Sequence, residues 1–186
     1  SYGNALSILD FDQKGAAAAG ARAQQLNPGS FDVQNSYSQL ASGLGLHEEA
    51  IAAAERAVGL DPLSAAAHAT LSGAYYFARR YSDAEVTARR ALTLEPDRTS
   101  AHALIGLSLL GQERFDEALA EFDQENLMWQ RLTGRALVLA KTGRREEARA
   151  EMEAIRDQIG EAASYQLAQV SVQLGDLDEA FRWLQN

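Results

Sequence analysis

Two histidines are spaced so that they could hold a metal ion. His68 and His102 lie 34 residues apart, and two imidazoles in register on neighbouring elements could ligate a divalent cation. The equivalent positions elsewhere carry Gln34, Leu132 and Ser164, so no third ligand shares the register. We therefore interpret both histidines as packing residues and predict no metal site.

Residues 15–20 imitate the glycine spacing of a phosphate-binding loop. Such a loop needs Lys and then Ser or Thr directly after its second glycine, whereas Ala21 and Arg22 follow here. Acidic pairs such as Glu48 and Glu49 stand where helices are predicted to begin, and there the helix dipole favours anions. The sequence offers no grouping of nucleophile, base and orienting residue, and it has no cysteine. We predict a helix at residues 15–20, no catalytic residue, no cofactor and no enzymatic activity.

Composition narrows the class of partner. The 186 residues are 46% apolar and 23% charged, which is typical of an ordinary globular protein. The net charge of −9 argues against a general binder of nucleic-acid phosphates, so we expect no nucleic-acid partner. No apolar run approaches the roughly 20 residues of a spanning helix, so we expect no membrane insertion. The absence of cysteine does not decide the compartment; we favour the cytoplasm slightly over the periplasm.

The three prolines mark the elements that must position any functional residue. Pro28, Pro62 and Pro96 lie 34 residues apart, and each closes a phrase of the same apolar pattern. Proline disfavours helix in the residue before it, so one helix is predicted to end near each. Small residues recur with the same period, shortening to steps of 30 and 32 near the C-terminus, and form two ladders. The ladders are Ala16, Ala50, Ala84, Ala118, Ala148 and Ala180, and Ser38, Ser72, Gly106, Ala136 and Ala168.

Small residues on each of two helices allow close packing, so each period is predicted to be a helix, a short turn and a second helix. In the best-matching unit, AHATLS at 67–72 leads through YSDA at 81–84 to LEP at 94–96. On these motifs the chain resembles the tetratricopeptide repeat (TPR) family, whose period is 34 residues. The resemblance covers essentially the whole chain. It implies an all-α fold, a right-handed α-α superhelix (solenoid) of five to six stacked antiparallel helix pairs.

We expect a single TPR array over residues 1–186, with units at about 1–28, 31–62, 65–96, 99–126, 129–159 and 161–186. Glu125 and Arg135 put charges into the packing ladders, and we expect a weak junction around residues 126–129. The tail at 164–184 resembles bacterial repeat regions attached to signalling or regulatory proteins. We expect the chain to be a piece of a longer protein. In its last helix, Phe181 and Leu184 are predicted to reach back onto the core, with Trp183 left exposed.

The resemblance also indicates where a partner would bind, because first helices line the concave face of such arrays. Apolar and aromatic anchors together with amides suit a peptide or an amphipathic helix. Tyr76, Phe77, Leu107 and Leu110 could instead pack inside the protein, and the sequence leaves both interpretations open. The predicted groove residues are Asn35, Gln39, Tyr76, Phe77, Leu107, Leu110, Tyr165 and Gln169.

One subset of the family clamps a terminal carboxylate with groove Lys, Arg and Asn side chains. This sequence keeps Asn35 but has Ala69, Thr70, Ala103 and Leu104 where basic residues would stand, so we do not expect that clamp. Two functions remain. One is a non-enzymatic module that binds a protein or peptide. The other is a regulatory or oligomerising segment of a larger enzyme or transcriptional regulator, with homo-oligomers formed through the chain ends.

Overall fold

The computed structural model describes residues 13–185, and within that range it contains no β-strand. No helix of this part is long and apolar enough to cross a bilayer. A single 3₁₀ turn, Gly160–Ala163, precedes α10. The α-helices are α1 (Gln13–Leu26), α2 (Phe31–Gly43), α3 (His47–Leu60), α4 (Ala65–Phe77), α5 (Tyr81–Leu94), α6 (Ala101–Gly111), α7 (Phe115–Asp123), α8 (Met128–Lys141), α9 (Arg145–Ile159), α10 (Ser164–Leu174) and α11 (Leu177–Leu184).

The chain divides between Leu104 and Ile105 into two compact units, a first unit up to residue 104 and a second unit from residue 105. In the first unit α2 pairs with α3 and α4 pairs with α5. In the second unit α8 pairs with α9 and α10 pairs with α11. The leading helices of successive pairs also pack side by side, α2 against α4 and α8 against α10. This packing of helix pairs is the all-α repeat fold that the 34-residue period predicts.

The small-residue ladders lie in the cores. Ala16, Ala50 and Ala84 are fully buried in the first unit, and Ala118 and Ala148 in the second. An alanine at these points removes the side-chain bulk that would hold two helix backbones apart.

Left-handed residues end the leading helices at the same period. Gly45, Gly143 and Gly175 have φ between 75° and 79°, and Arg79 and Glu113 take the same conformation at 59° and 61°. Glycine adopts this conformation without strain, whereas a side chain costs roughly 1 kcal/mol. The turn geometry therefore repeats along the chain although the residue type does not.

A phenylalanine holds the start of the second unit together. Phe122 of α7 is fully buried, and its ring lies against the backbones of Gly106 on α6 and Gly134 on α8. A Cβ added to Gly134 would lie 2.1 Å from the ring atoms Cδ1 and Cε1. The two glycines thus make the space that the ring occupies.

The two charged residues in the packing ladders, Glu125 and Arg135, both have hydrogen-bond partners. Glu125 is buried, and its Oε1 accepts the backbone N–H of Leu127 at 3.0 Å, just before α8 begins. Arg135 of α8 donates to Glu151 of α9 at 2.8 Å and also pairs with Asp123 of α7. The hydrogen bond to Glu151, followed by that to Asp123, raises the pKa of the Arg135 guanidinium. Arg135 therefore connects α7, α8 and α9, whereas Glu125 stabilises the turn before α8.

The prediction for the last helix is wrong. Trp183 packs against the second-unit core, which includes Leu167 and Val170, whereas Phe181 and Leu184 are 63% and 58% exposed. The reason is helical phase: Trp183 lies about 200° around α11 from Phe181, so the two side chains point to opposite sides, and it is the Trp183 side that packs inward. Leu177, Phe181 and Leu184 form a stripe on the outer face, at spacings of four and three residues.

Candidate functional site

A groove of about 340 Å³ opens on the first unit. Its walls come from α2, from one face of α4 and from the segment that leads into α6. Arg98 is the one charged residue among the eleven that line it. The lining residues are Gln39, Ser42, Ala69, Thr70, Gly73, Ala74, Phe77, Arg98, Thr99, Ser100 and Leu104.

The floor of the groove presents two hydrogen-bonding side chains beside a position on α4 that carries no side chain. Because α2 and α4 pack side by side, the Gln39 amide reaches Thr70 and donates to its Oγ1 at 3.5 Å. Gly73 lies one turn further along α4, and no atom lies within 4 Å of the position that a Cβ would take there. A bound chain could therefore approach the α4 backbone closely, with amide and hydroxyl groups available for hydrogen bonds.

Phe77 is the apolar feature of the groove. It is the last residue of α4, and its side chain is 54% exposed. Tyr76 contacts it edge to face, with ring centroids 5.6 Å apart, and Tyr76 also lies 5.8 Å from the ring of Tyr81. Tyr76 thus contacts the Phe77 ring on one side, while more than half of the Phe77 side chain remains accessible.

The structure brings together two of the eight predicted groove residues. Gln39 and Phe77 line the groove, and Asn35 lies one turn before Gln39 on α2. The Asn35 Oδ1 atom is buried and has no hydrogen-bond partner within residues 13–185. Tyr76 lies behind Phe77 rather than in the lining.

The other four predicted residues belong to the second unit. Leu107 and Leu110 are half-buried on α6, whereas Tyr165 and Gln169 are exposed on α10. Tyr165 and Gln169 are four residues apart, and Val172 continues their row, half exposed. A polar and aromatic face therefore exists on α10, and its use as a binding surface stays a prediction.

Sequence reasoning does not select several residues that line the groove. Gly73 is marked only by its place in the 34-residue repeat, since glycine has no side chain to suggest a role. Residues 98–100 resemble a connection between helices. One signal could have identified Arg98: counting in steps of 34 from Ser30 and Ser64 arrives at this arginine.

The features that suggested other chemistry have structural roles. Residues 15–20 lie inside α1, as predicted, and Gly20 allows the ring of Tyr37 to approach closely. A ring nitrogen of His68 lies 3.1 Å from the carbonyl oxygen of Pro62. Gln34, at the same register, donates to the carbonyl of Pro28 at 2.9 Å. This position therefore fastens the start of a helix to the preceding turn. Residues 13–185 contain no group of three or more potential metal ligands.

Arg80 and Arg144, each one of two consecutive arginines in the sequence, take part in local ion pairs. Arg80 lies 2.7 Å from Asp83, and Arg144 lies 2.5 Å from Glu147. The hydrogen bond between the latter two lowers the pKa of the Glu147 carboxyl. These pairs lie on exposed helix starts, where screening by water keeps them weak.

Comparison with known families identifies the repeat. A model of the tetratricopeptide repeat matches residues 43–108, and a second model of the same description matches residues 133–185. The chain matches no curated protein at a significant level of sequence similarity.

Solved structures share the fold. TTC0263, a thermophilic TPR protein of Thermus thermophilus, is 20% identical, with 99% of this chain and 94% of that chain covered and a TM-score of 0.76. PilF of Pseudomonas aeruginosa is 19% identical, covering 99% and 86% at a TM-score of 0.66. YrrB, described as a TPR protein with an unusual peptide-binding site, is 20% identical, covering 91% and 90% at a TM-score of 0.55.

Proposed function

Because this chain belongs to the tetratricopeptide repeat family, we propose that it is a non-enzymatic interaction module that binds a partner peptide or helix in the groove of its first unit. The observation that carries the proposal is the exposed Phe77 beside hydrogen-bonding side chains on a bare helix surface. Aromatic side chains are enriched among residues that dominate binding energy, and neighbouring amides and hydroxyls fix the register of a bound chain.

The residues predicted from the sequence fit this role in different ways. Phe77 is the apolar anchor, and Tyr76 holds its ring in place. Gln39 supplies an amide to the bound chain, and the buried, unpartnered Oδ1 of Asn35, one turn away, would accept a hydrogen bond once the side chain turns toward the groove. We propose Leu107, Leu110, Tyr165 and Gln169 as a separate contact surface of the second unit.

The test is selection of random peptides displayed on phage against the full chain, followed by affinity measurement on the selected peptides. Phe77→Ala should weaken binding about ten-fold or more. Phe181→Ala is the matched control, since Phe181 is equally exposed but lies on α11. The proposal fails if the selected peptides bind the Phe77 variant as tightly as the unmodified chain.

A second candidate function is self-association, as expected for an oligomerising segment of a larger regulator. The stripe of Leu177, Phe181 and Leu184 favours it, because each of these side chains is more than half exposed on one face of α11. Contiguous exposed apolar faces often mark interaction sites. Light scattering over a range of concentrations would reveal a dimer that Phe181→Asp abolishes. A monomer at every concentration would eliminate this candidate.

A further inference from the structure

The entry to α6 departs from a pattern that the two preceding entries share. Ser30 precedes α2, and its Oγ accepts the backbone N–H of Val33 at 3.4 Å. Ser64 precedes α4 in the same way, accepting from Ala67 at 3.2 Å. At the next step of 34 the residue is Arg98. An arginine side chain has no acceptor, so it cannot cap a helix from this position, and a different serine, Ser100, stands directly before α6.

The backbone changes along with the residue. α2 and α4 begin directly after their capping serines, whereas α6 begins at Ala101, three residues after Arg98. Between them Ser100 adopts a left-handed conformation, with φ 68°. A side-chain residue in that conformation is strained, and such strain is concentrated at functional sites. All three residues of this irregular entry line the groove.

The guanidinium of Arg98 is incompletely paired. Its Nη1 donates to Oε2 of Glu95 at 2.9 Å, an exposed pair between residues three apart. Its Nε is buried and has no hydrogen-bond partner within the described part of the chain. An arginine carries five N–H donors in a fork that matches a carboxylate, and the edge formed by Nε and Nη2 can bind both oxygens.

We propose that Arg98 is a specificity residue that binds an aspartate or glutamate side chain of the partner peptide in the first-unit groove. This inference rests on the proposed function and adds the chemistry of the partner. Charge complementarity supports it, because no acidic residue lines the groove and one cation does. On binding, the guanidinium turns its unpartnered edge toward the incoming carboxylate, which satisfies the Nε donor. Phe77 in the same groove takes an apolar side chain of the same peptide.

An acidic side chain explains the departure from the serine pattern. A wholly apolar ligand would gain nothing from an arginine at position 98. Glu95 is the competing carboxylate already present, and because it is exposed it holds the guanidinium weakly. A peptide carboxylate in the groove, with the Thr70 and Thr99 side chains alongside it, would replace that partner.

The experiment uses peptides selected from a random phage library on the full chain. We expect Asp or Glu at one fixed position relative to an apolar residue. Changing that residue to Asn or Gln should weaken binding about ten-fold, as should Arg98→Ala, and the combined changes should cost no more than either alone. Glu95→Gln, which removes the competing carboxylate, should tighten binding up to about five-fold.

Arg98→Ser guards against a folding artefact, because it restores the residue of the two earlier entries. This variant should melt at about the same temperature as the unmodified chain and still lose binding. The inference is overturned if groove binding, recognised by its loss in Phe77→Ala, shows no acidic preference and survives Arg98→Ala. If selected peptides ignore Phe77 altogether, the proposed function and this inference fail together.

Discussion

Replacing Gly134 by alanine should destabilise the second unit strongly, although alanine is the better helix former. The added Cβ would lie 2.1 Å from two atoms of the Phe122 ring, whereas ordinary contacts begin near 3.4 Å. The ring would have to retreat by roughly 1.3 Å, the difference between these distances. It is fully buried, and its other side already faces Gly106, where a Cβ would lie 2.8 Å away.

The magnitude follows from competing effects. Overpacking of this kind costs about 1–3 kcal/mol, and expelling the ring would cost about 3–5 kcal/mol. Replacing glycine by alanine in a helix interior stabilises the helix by about 1 kcal/mol. A displacement of roughly 1.3 Å exceeds ordinary overpacking, so the cost of expelling the ring applies, and about 3–5 kcal/mol less about 1 kcal/mol gives an expected loss of about 2–4 kcal/mol in the free energy of unfolding.

The assay is denaturant unfolding of the full chain followed by circular dichroism. Gly59→Ala is the matched control: Gly59 lies in α3 with no atom within 4 Å of its virtual Cβ, so this change should stabilise by about 0.5–1 kcal/mol. Adding Phe122→Leu should relieve part of the Gly134→Ala loss. Equal stability of Gly134→Ala and the unmodified chain would refute the assigned packing of Phe122 between two glycine backbones.

Three further predictions concern single side chains. Burial, followed by the hydrogen bond to Glu49, raises the pKa of Tyr37 to about 12 from 10.0. The neutral Tyr37 hydroxyl therefore stabilises the folded state fully below pH 10, and this stabilisation is lost as the pH rises to 12. The free energy of unfolding should fall by about 2–3 kcal/mol between these pH values. The contribution of Tyr37 is the difference between the pH dependence of unfolding in the unmodified chain and that in Tyr37→Phe. Glu125→Ala should lower the free energy of unfolding by about 1–2 kcal/mol in urea melts, because a backbone N–H before α8 loses its acceptor. Trp183→Ala should lower the melting temperature clearly, whereas Phe181→Ala should leave it nearly unchanged.

The period of the sequence predicted the helices because packing and stop signals repeat locally. Ala50 and Ala84 mark buried faces, and Pro62 stands where a helix has just ended. The error at α11 came from choosing the wrong face. The buried Ala180 alone did not decide the inner side, because Trp183 follows it by three residues and the exposed Leu184 follows it by four.

The groove was harder to predict. Gln39 and Phe77 were selected by register, since a helical period indicates which residues share a face, and both line the groove. It could not anticipate the delayed start of α6, since the left-handed Ser100 lies outside any helical period. Arg98 therefore looked like part of a connection, although the missing serine of the 34-residue pattern marked it.

If a partner peptide occupies the groove of the first unit, Gly73→Leu should prevent it from binding. Gly73 lines the groove, and no atom lies within 4 Å of its virtual Cβ, so a leucine there fills the groove without disturbing the core. Gly59→Leu on α3 is the matched control, with the same open surroundings outside the groove. Calorimetric titration with a selected peptide should show binding lost in Gly73→Leu and retained in Gly59→Leu, with both proteins at least as stable as the unmodified chain. Unchanged affinity of Gly73→Leu would contradict the account.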